Sequence, residues 1–192
     1  LSQHLFDEYN KGNYQVEEQC PVSESFYNAP LLDELHKELT EHLNDVLELD
    51  LEPSYCYARI YRPGEELKPH TDRDACEISG TLTLGHDPDS DVWPIYIGKD
   101  KTDNVGKPIN INIGDMVMYR GIELNHWREQ YTGTWQTQVF FHYVKKDGEF
   151  KEHAGDKVRM PYNTKSNNEY EPGKFLLELG EHIKTDKDFY PP

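Results

Sequence analysis

Positive charge is what this sequence has least of. Against 36 Asp and Glu it sets 20 Lys and Arg, giving a formal net charge of −16 over 192 residues. A surface that tracks phosphates needs Lys and Arg to displace counterions, so no nucleic-acid partner is expected. An anionic membrane surface would repel the chain as well. Cysteine is scarce too. Cys20, Cys56 and Cys76 are widely spaced and form no CxxC pair, which excludes a disulfide framework and a zinc ligand set and points to a reducing compartment. No apolar run approaches the roughly 20 residues that span a bilayer. The opening LSQHLFDEYN lacks the basic and apolar regions of a signal peptide, so a soluble, cytoplasmic protein is expected. Hydrophobic content is low at 35%, yet 12% of residues are aromatic, 13 of them tyrosines, which argues against disorder.

What is present divides by periodicity. Residues 1 to 29 read as polar and irregular. From Pro30 the apolar residues Leu31, Leu32, Leu35, Leu39, Leu43, Val46 and Leu47 recur at helical spacing, with Pro30 suited to the first turn. After Pro53 the period becomes two. YCYARIYR (55–62) sets Tyr55, Tyr57, Arg59 and Tyr61 on one face and Cys56, Ala58 and Ile60 on the other. EISGTLTLG (77–85), VWPIYIG (92–98), the INI around 111, DMVMYRG (115–121) and QTQVFFHYV (136–144) also read as strands, separated by turn-rich text. Short strands without intervening helices predict a mainly β sandwich or barrel. The tail is charged, with KFLLELGEHI (174–183) as a short helix or added strand. One domain is expected: a segment and supporting helix over 1–54, a barrel core over 55–144, and a tail over 145–192.

The stretch KPHTDRD (68–74) carries the chemistry. On an extended chain, residues two apart point the same way, so His70 and Asp72 converge while Thr71 faces away. Alone, HxD is an ordinary turn. A further histidine, His126 in GDMVMYRGIELNHWRE, changes the odds. Two imidazoles and a carboxylate form the facial donor set of non-haem Fe(II), which leaves coordination positions open. A zinc hydrolase stays open on ligand count, though no HExxH-type helix supplies ligands and a base.

At these residues the chain resembles a family. YARIYRPGEELKPHTDRDACEISGTLTL followed by GDMVMYRGIELNHW and QVFFHYV is similar to the Fe(II)/2-oxoglutarate oxygenases of the prolyl 4-hydroxylase-like group. The resemblance covers roughly residues 55 to 145. It implies a double-stranded β-helix (jelly-roll barrel) backed by the N-terminal helix, with His70, Asp72 and His126 as iron ligands. It also implies Fe(II), 2-oxoglutarate and O2, with ascorbate as an accessory reductant, and oxidation of an unactivated C–H bond with release of succinate and CO2. The expected partner is a small-molecule or peptide substrate, prolyl residues being the family's best-known target. No oligomeric state is assigned. The Asp argues against related halogenases, where a small residue makes room for halide.

The chain departs from the family where a Lys or Arg would pair with the far carboxylate of 2-oxoglutarate. The corresponding positions hold Trp135 and Gln136. A buried carboxylate without a cation is costly. Arg128, two residues past His126 on the same face, is the expected substitute, with Arg59 in reserve. Gln136 and Gln138 would complete the carboxylate's hydrogen bonds, Tyr61 matches a family tyrosine of that pocket, and Thr83 is a further hydroxyl donor. Arg73 and Glu77 are expected to pair and brace the metal loop, and Trp93, Trp127, Trp135 and Cys76 to be packing residues. Two other readings stay open. The missing cation favours a jelly-roll metal oxygenase that does not use 2-oxoglutarate. A non-catalytic jelly-roll binding module is disfavoured by the intact His–Asp–His set.

Overall fold

Alternation along two long strands lays out the architecture. In β3 (Leu51–Tyr61), Cys56, Ala58 and Ile60 join one apolar cluster, while Tyr55, Tyr57 and Tyr61 belong to the clusters of the other face. The partner strand Gln136–Lys145 runs antiparallel to it in a register that matches like with like. Phe141 lies opposite Cys56 and Val139 opposite Ala58; Phe140 lies opposite Tyr57 and His142 opposite Tyr55. Cross-strand pairs of this kind stabilise a sheet and fix which face is which.

The computed structural model describes residues 1–27 and 29–156 and the backbone of the short strand Ile183–Lys184. In chain order these form α1 (Ser2–Asn10), β1 (Gln15–Glu17), β2 (Cys20–Tyr27), α2 (Pro30–Leu47), β3, β4 (Leu67–His70), β5 (Ile78–His86), β6 (Ile95–Ile97), β7 (Lys107–Ile109), β8 (Met116–Tyr119), β9 (His126–Arg128), β10 (Gln136–Lys145) and β11 (Ile183–Lys184). One sheet has the order β1-β2-β3-β10-β5-β8-β11 and the other β4-β9-β6-β7. From β3 to β10 the chain passes repeatedly between the two sheets, which is the path of a double-stranded β-helix. Among the described residues no helix is long and apolar enough to cross a membrane.

α2 covers the outer face of the large sheet. Pro30 stands at its first turn, and Leu32, Leu35, His36, Leu39 and Leu43 form the buried stripe. The helix stops where Glu48 turns left-handed (φ 54°), and the Asn44 side chain then accepts the Leu51 N–H at 2.8 Å, delivering the chain to β3. Between the sheets lies a second core of Ile95, Ile97, Ile111, Val117, Tyr119 and Leu124.

Two elements differ from the sequence expectation. Residues 1–29 are not irregular: they supply α1 and a hairpin that extends the large sheet past β3. Polar text concealed the strand because its buried polar groups are matched. Ser23 donates to Glu65 (2.6 Å), Ser25 accepts from Arg59 (3.0 Å), and Glu24 pairs with Arg62 (2.8 Å). The strand expected near Ile111 lies earlier, at Lys107–Ile109. The Ile111 carbonyl is taken by the Thr83 hydroxyl and the Asn112 N–H by Asp115, so side chains claim the groups a ladder would use. The segment 174–183 lies outside the described residues except for Ile183, whose backbone runs parallel to β8 at Met116.

Candidate metal centre and anion pocket

Register alone brings the two histidines together. β4 and β9 are antiparallel neighbours with His70 opposite His126, and the ring centroids are 4.3 Å apart. Asp72 lies two residues past the strand end, its backbone N–H donating to the Gly121 carbonyl at 2.9 Å. Its Oδ1 is 3.6 Å from His70 Nε2 and 3.5 Å from His126 Nε2. One donor atom from each of the three residues falls within 4.8 Å of the others, as a single ion requires.

The far side of each imidazole is fixed as a metal ligand needs. His70 Nδ1 lies 2.8 Å from the Lys68 carbonyl, and His126 Nδ1 lies 2.9 Å from that of Leu124. A carbonyl only accepts, so each Nδ1 carries a proton and each Nε2 is the ring atom that faces Asp72. Burial opposes charge on both partners. It is outweighed at Asp72, where His126 and His70 hold the carboxyl well below its usual range, and at His70, where Asp72 holds the imidazole above its usual value. A divalent cation between them would take over that role. The residues present fit a facial iron site, with no thiolate in the set.

A second group, Asp72, Cys76 and His142, also falls within 4.8 Å. Here the Ser79 hydroxyl already joins two members, at 2.9 Å from Asp72 Oδ2 and 2.9 Å from His142 Nδ1. A hydrogen-bonded hydroxyl fills that space.

Arg128 lies on β9 and is 1% exposed. Its Nη1 donates to the Trp93 carbonyl at 2.5 Å and its guanidinium sits 4.8 Å from the Trp93 ring. Its Nε and Nη2 have no acceptor among the described residues. Burial pulls its pKa below the usual arginine value, against the pull of Tyr61 and Tyr119. A buried guanidinium with two idle N–H groups fits an anion such as a carboxylate. Arg59 differs. It donates to Glu17 (2.8 Å), Gln19 (3.2 Å), Ser25 (3.0 Å) and Cys20 (3.1 Å), so its fork is already in use.

The other expected pocket residues are found as follows. Tyr61 has its hydroxyl 3.4 Å from Arg59 Nη1 and its ring edge-on to Trp93. Gln136, Gln138 and Thr83 come together, largely on one another: Gln138 Oε1 accepts from Gln136 (3.0 Å) and Thr83 (3.1 Å), and its amide nitrogen donates to Thr81 (2.7 Å). Arg73 and Glu77 do not pair. Arg73 bonds Asp156 and Glu77 takes the Lys145 backbone N–H, because the chain after β10 folds back across the metal loop and brings closer partners.

A cavity of about 210 Å³ opens at the triad, walled by Tyr55, Tyr57, Tyr119 and Phe140 and rimmed by Gln19 and Tyr27 of the hairpin. Sequence reasoning missed Ser79, Tyr119, Gln19 and Tyr27. Parity was the available signal for the first two, since Ser79, Thr81 and Thr83 alternate inward and Tyr119 lies opposite Ser79. For Gln19 and Tyr27 no signal existed once the hairpin went unread.

No protein-family model and no curated protein matches the chain. Solved structures do. A prolyl-4-hydroxylase from Pseudomonas putida aligns with TM-score 0.59 at 16% identity, over 74% of this chain and 83% of that one. HygX from Streptomyces hygroscopicus, holding nickel and 2-oxoglutarate, aligns with TM-score 0.55 at 12% identity, over 75% and 78%. A Trichoplax adhaerens prolyl hydroxylase in complex with a hypoxia-inducible-factor peptide gives 0.56 at 11%, over 79% of each chain. At such identities the likeness is one of fold, and the chain has the double-stranded β-helix of these 2-oxoglutarate oxygenases.

Proposed function

We propose that the protein is an Fe(II)- and 2-oxoglutarate-dependent dioxygenase that hydroxylates an unactivated C–H bond of a peptidyl residue or small molecule, releasing succinate and CO2. His70, Asp72 and His126 would hold the metal, and Arg128 the far carboxylate of 2-oxoglutarate. The observation that carries this reading is Arg128: a buried cation two positions from a metal-type histidine, with two donors that no carboxylate takes among the described residues. Leaving such a group unmatched costs about 1–3 kcal/mol or more, which a bound carboxylate would offset. The same feature disfavours an oxygenase without 2-oxoglutarate.

When bound, iron and 2-oxoglutarate would supply the oxidising chemistry. The chain's own residues bind, orient and exclude water. Lys68 and Leu124 carbonyls keep both imidazoles in one tautomer. Trp93 fixes Arg128 by its carbonyl and its ring, and Tyr61 and Tyr119 offer hydroxyls beside that charge. Tyr55, Tyr57 and Phe140 give the reacting C–H an apolar wall. The solved HygX complex with hygromycin B and the Trichoplax peptide complex support a substrate of either class.

The test is optical. Anaerobic protein given Fe(II) and 2-oxoglutarate should develop a weak visible charge-transfer band that His126→Ala lacks, and oxygen should then yield succinate. Metal binding with no band would overturn the 2-oxoglutarate assignment, and absence of metal binding would leave a binding module.

A further inference from the structure

Asp72 is held from three sides, and only one of its oxygens faces the histidines. Oδ1 lies 3.6 Å and 3.5 Å from the two imidazole nitrogens. Oδ2 takes the Ser79 hydroxyl at 2.9 Å. The backbone hangs from the Gly121 carbonyl, and a Cβ at Gly121 would overlap both Oδ2 and the Ser79 oxygen.

Ser79 is fully buried on β5, and its hydroxyl has one proton with several claimants. The Cys76 carbonyl is 3.4 Å away, whereas Asp72 Oδ2 and His142 Nδ1 are each at 2.9 Å. A carboxylate is the stronger acceptor, so the proton goes to Asp72. The Ser79 oxygen is then free to accept, and His142 Nδ1 must be the donor. A directed chain results, from His142 N–H to Ser79 O–H to Asp72. Each bond polarises the next. His142 is itself held on β10 by a ring contact with Tyr55 at 4.6 Å.

We infer that Ser79, seated by His142, positions Asp72 so that it offers a single oxygen to the metal. The inference rests on the metal site proposed above. A carboxylate free to rotate can close on a cation with both oxygens and occupy a position the reaction needs open. Ser79 occupies the second oxygen, and only a residue without a Cβ at 121 leaves that oxygen and the hydroxyl their places. Ser79 and His142 are positioning residues, since neither need touch the ion.

The test uses the full-length chain stripped of metal, with Mn(II) affinity and the Co(II) visible spectrum as readouts, and thermal unfolding without metal as the control for fold. Ser79→Ala should weaken Mn(II) binding about tenfold, the usual scale for loss of an outer-shell partner, and should alter the Co(II) band intensities as coordination number changes. Ser79→Thr, which keeps the hydroxyl, should retain both. His142→Phe keeps a ring against Tyr55 and removes only the donor, so it should shift both readouts the same way by less. If the wild-type chain binds metal and a folded Ser79→Ala matches it in affinity and spectrum, the inference is overturned and the metal site stands. Should Ser79→Ala fail to fold, wild-type values for His142→Phe overturn it instead. A wild-type chain that binds neither ion overturns the metal site and this inference together.

Discussion

Two buried arginines lie near the same tyrosine, Tyr61, and meet burial in opposite ways. Arg59, beneath the β1–β2 hairpin, spends its donors on Glu17, Gln19, Ser25 and Cys20. Arg128, at the barrel floor, gives one bond to the Trp93 carbonyl and leaves Nε and Nη2 idle. Burial opposes charge at both. At Arg59 the surrounding Tyr61, Tyr57, Cys20 and Glu17 reverse the effect and raise the pKa well above normal, whereas at Arg128 burial prevails. A satisfied buried cation holds structure together. An unsatisfied one keeps donors available to an anion.

That contrast can be broken experimentally. The largest effect expected is on stability: Arg59→Ala should cost about 3 kcal/mol, because it removes the cation that pairs with Glu17 and ties the hairpin to β3, read as a lower denaturant midpoint. Its effect on 2-oxoglutarate affinity should be the smaller of the two arginines'. Arg128→Ala should do the reverse, raising the apparent KM for 2-oxoglutarate at least tenfold, on the order of 2 kcal/mol, while the ligand-free protein keeps its midpoint. Arg128→Lys should recover part of that loss, since a fork becomes a point charge. Were Arg59→Ala to abolish 2-oxoglutarate binding and Arg128→Ala to leave it intact, the two roles would be exchanged.

His36 sharpens the comparison as a third basic group that answers burial by discharging. On the buried face of α2, against Phe141 and Tyr143, its pKa is driven down to about 3 by burial. The folded value lies below the unfolded one, so its stabilising share is complete above about pH 6.5 and shrinks as pH falls from there towards 3. Wild type should lose on the order of 1–2 kcal/mol of this share between pH 6.5 and 5. Denaturant titrations at the two pH values should show a shallower decline for His36→Phe. Smallest of all, Gln136→Lys in the Arg128→Ala background should restore a few tenths of a kcal/mol of 2-oxoglutarate binding, by placing a flexible cation near the position the family uses.

Periodicity explains which parts of the fold could be read from sequence. α2 was legible because Leu32, Leu35, Leu39 and Leu43 repeat at helical spacing on a helix with one wet face. β3 and β10 were legible because each strand has one apolar and one mixed face. β2 was not, since Ser23, Glu24 and Ser25 find their partners on other elements and no local pattern records them. The HxD pair declared itself by spacing. Arg128 was inferred from parity with His126, but the Trp93 carbonyl that holds it belongs to a loop that sequence cannot align with β9. Ser79 looked like any small strand residue. Its place against Asp72 depends on the β5–β10 register, which sets it opposite His142.

The modest size of the chamber at the triad carries a consequence for selectivity. At about 210 Å³ it is the smaller of two hollows that meet at His70. The larger hollow beside it, about 490 Å³ and sharing Gln19 and His70 as common walls, lies outside the barrel among Glu18, Glu65 and Glu66. Under the proposed activity, residues of the hairpin segment such as Glu18 and Gln19 would shape what reaches the metal site, while His70, Asp72 and His126 hold the ion, so selectivity could be altered in the hairpin without touching the metal ligands.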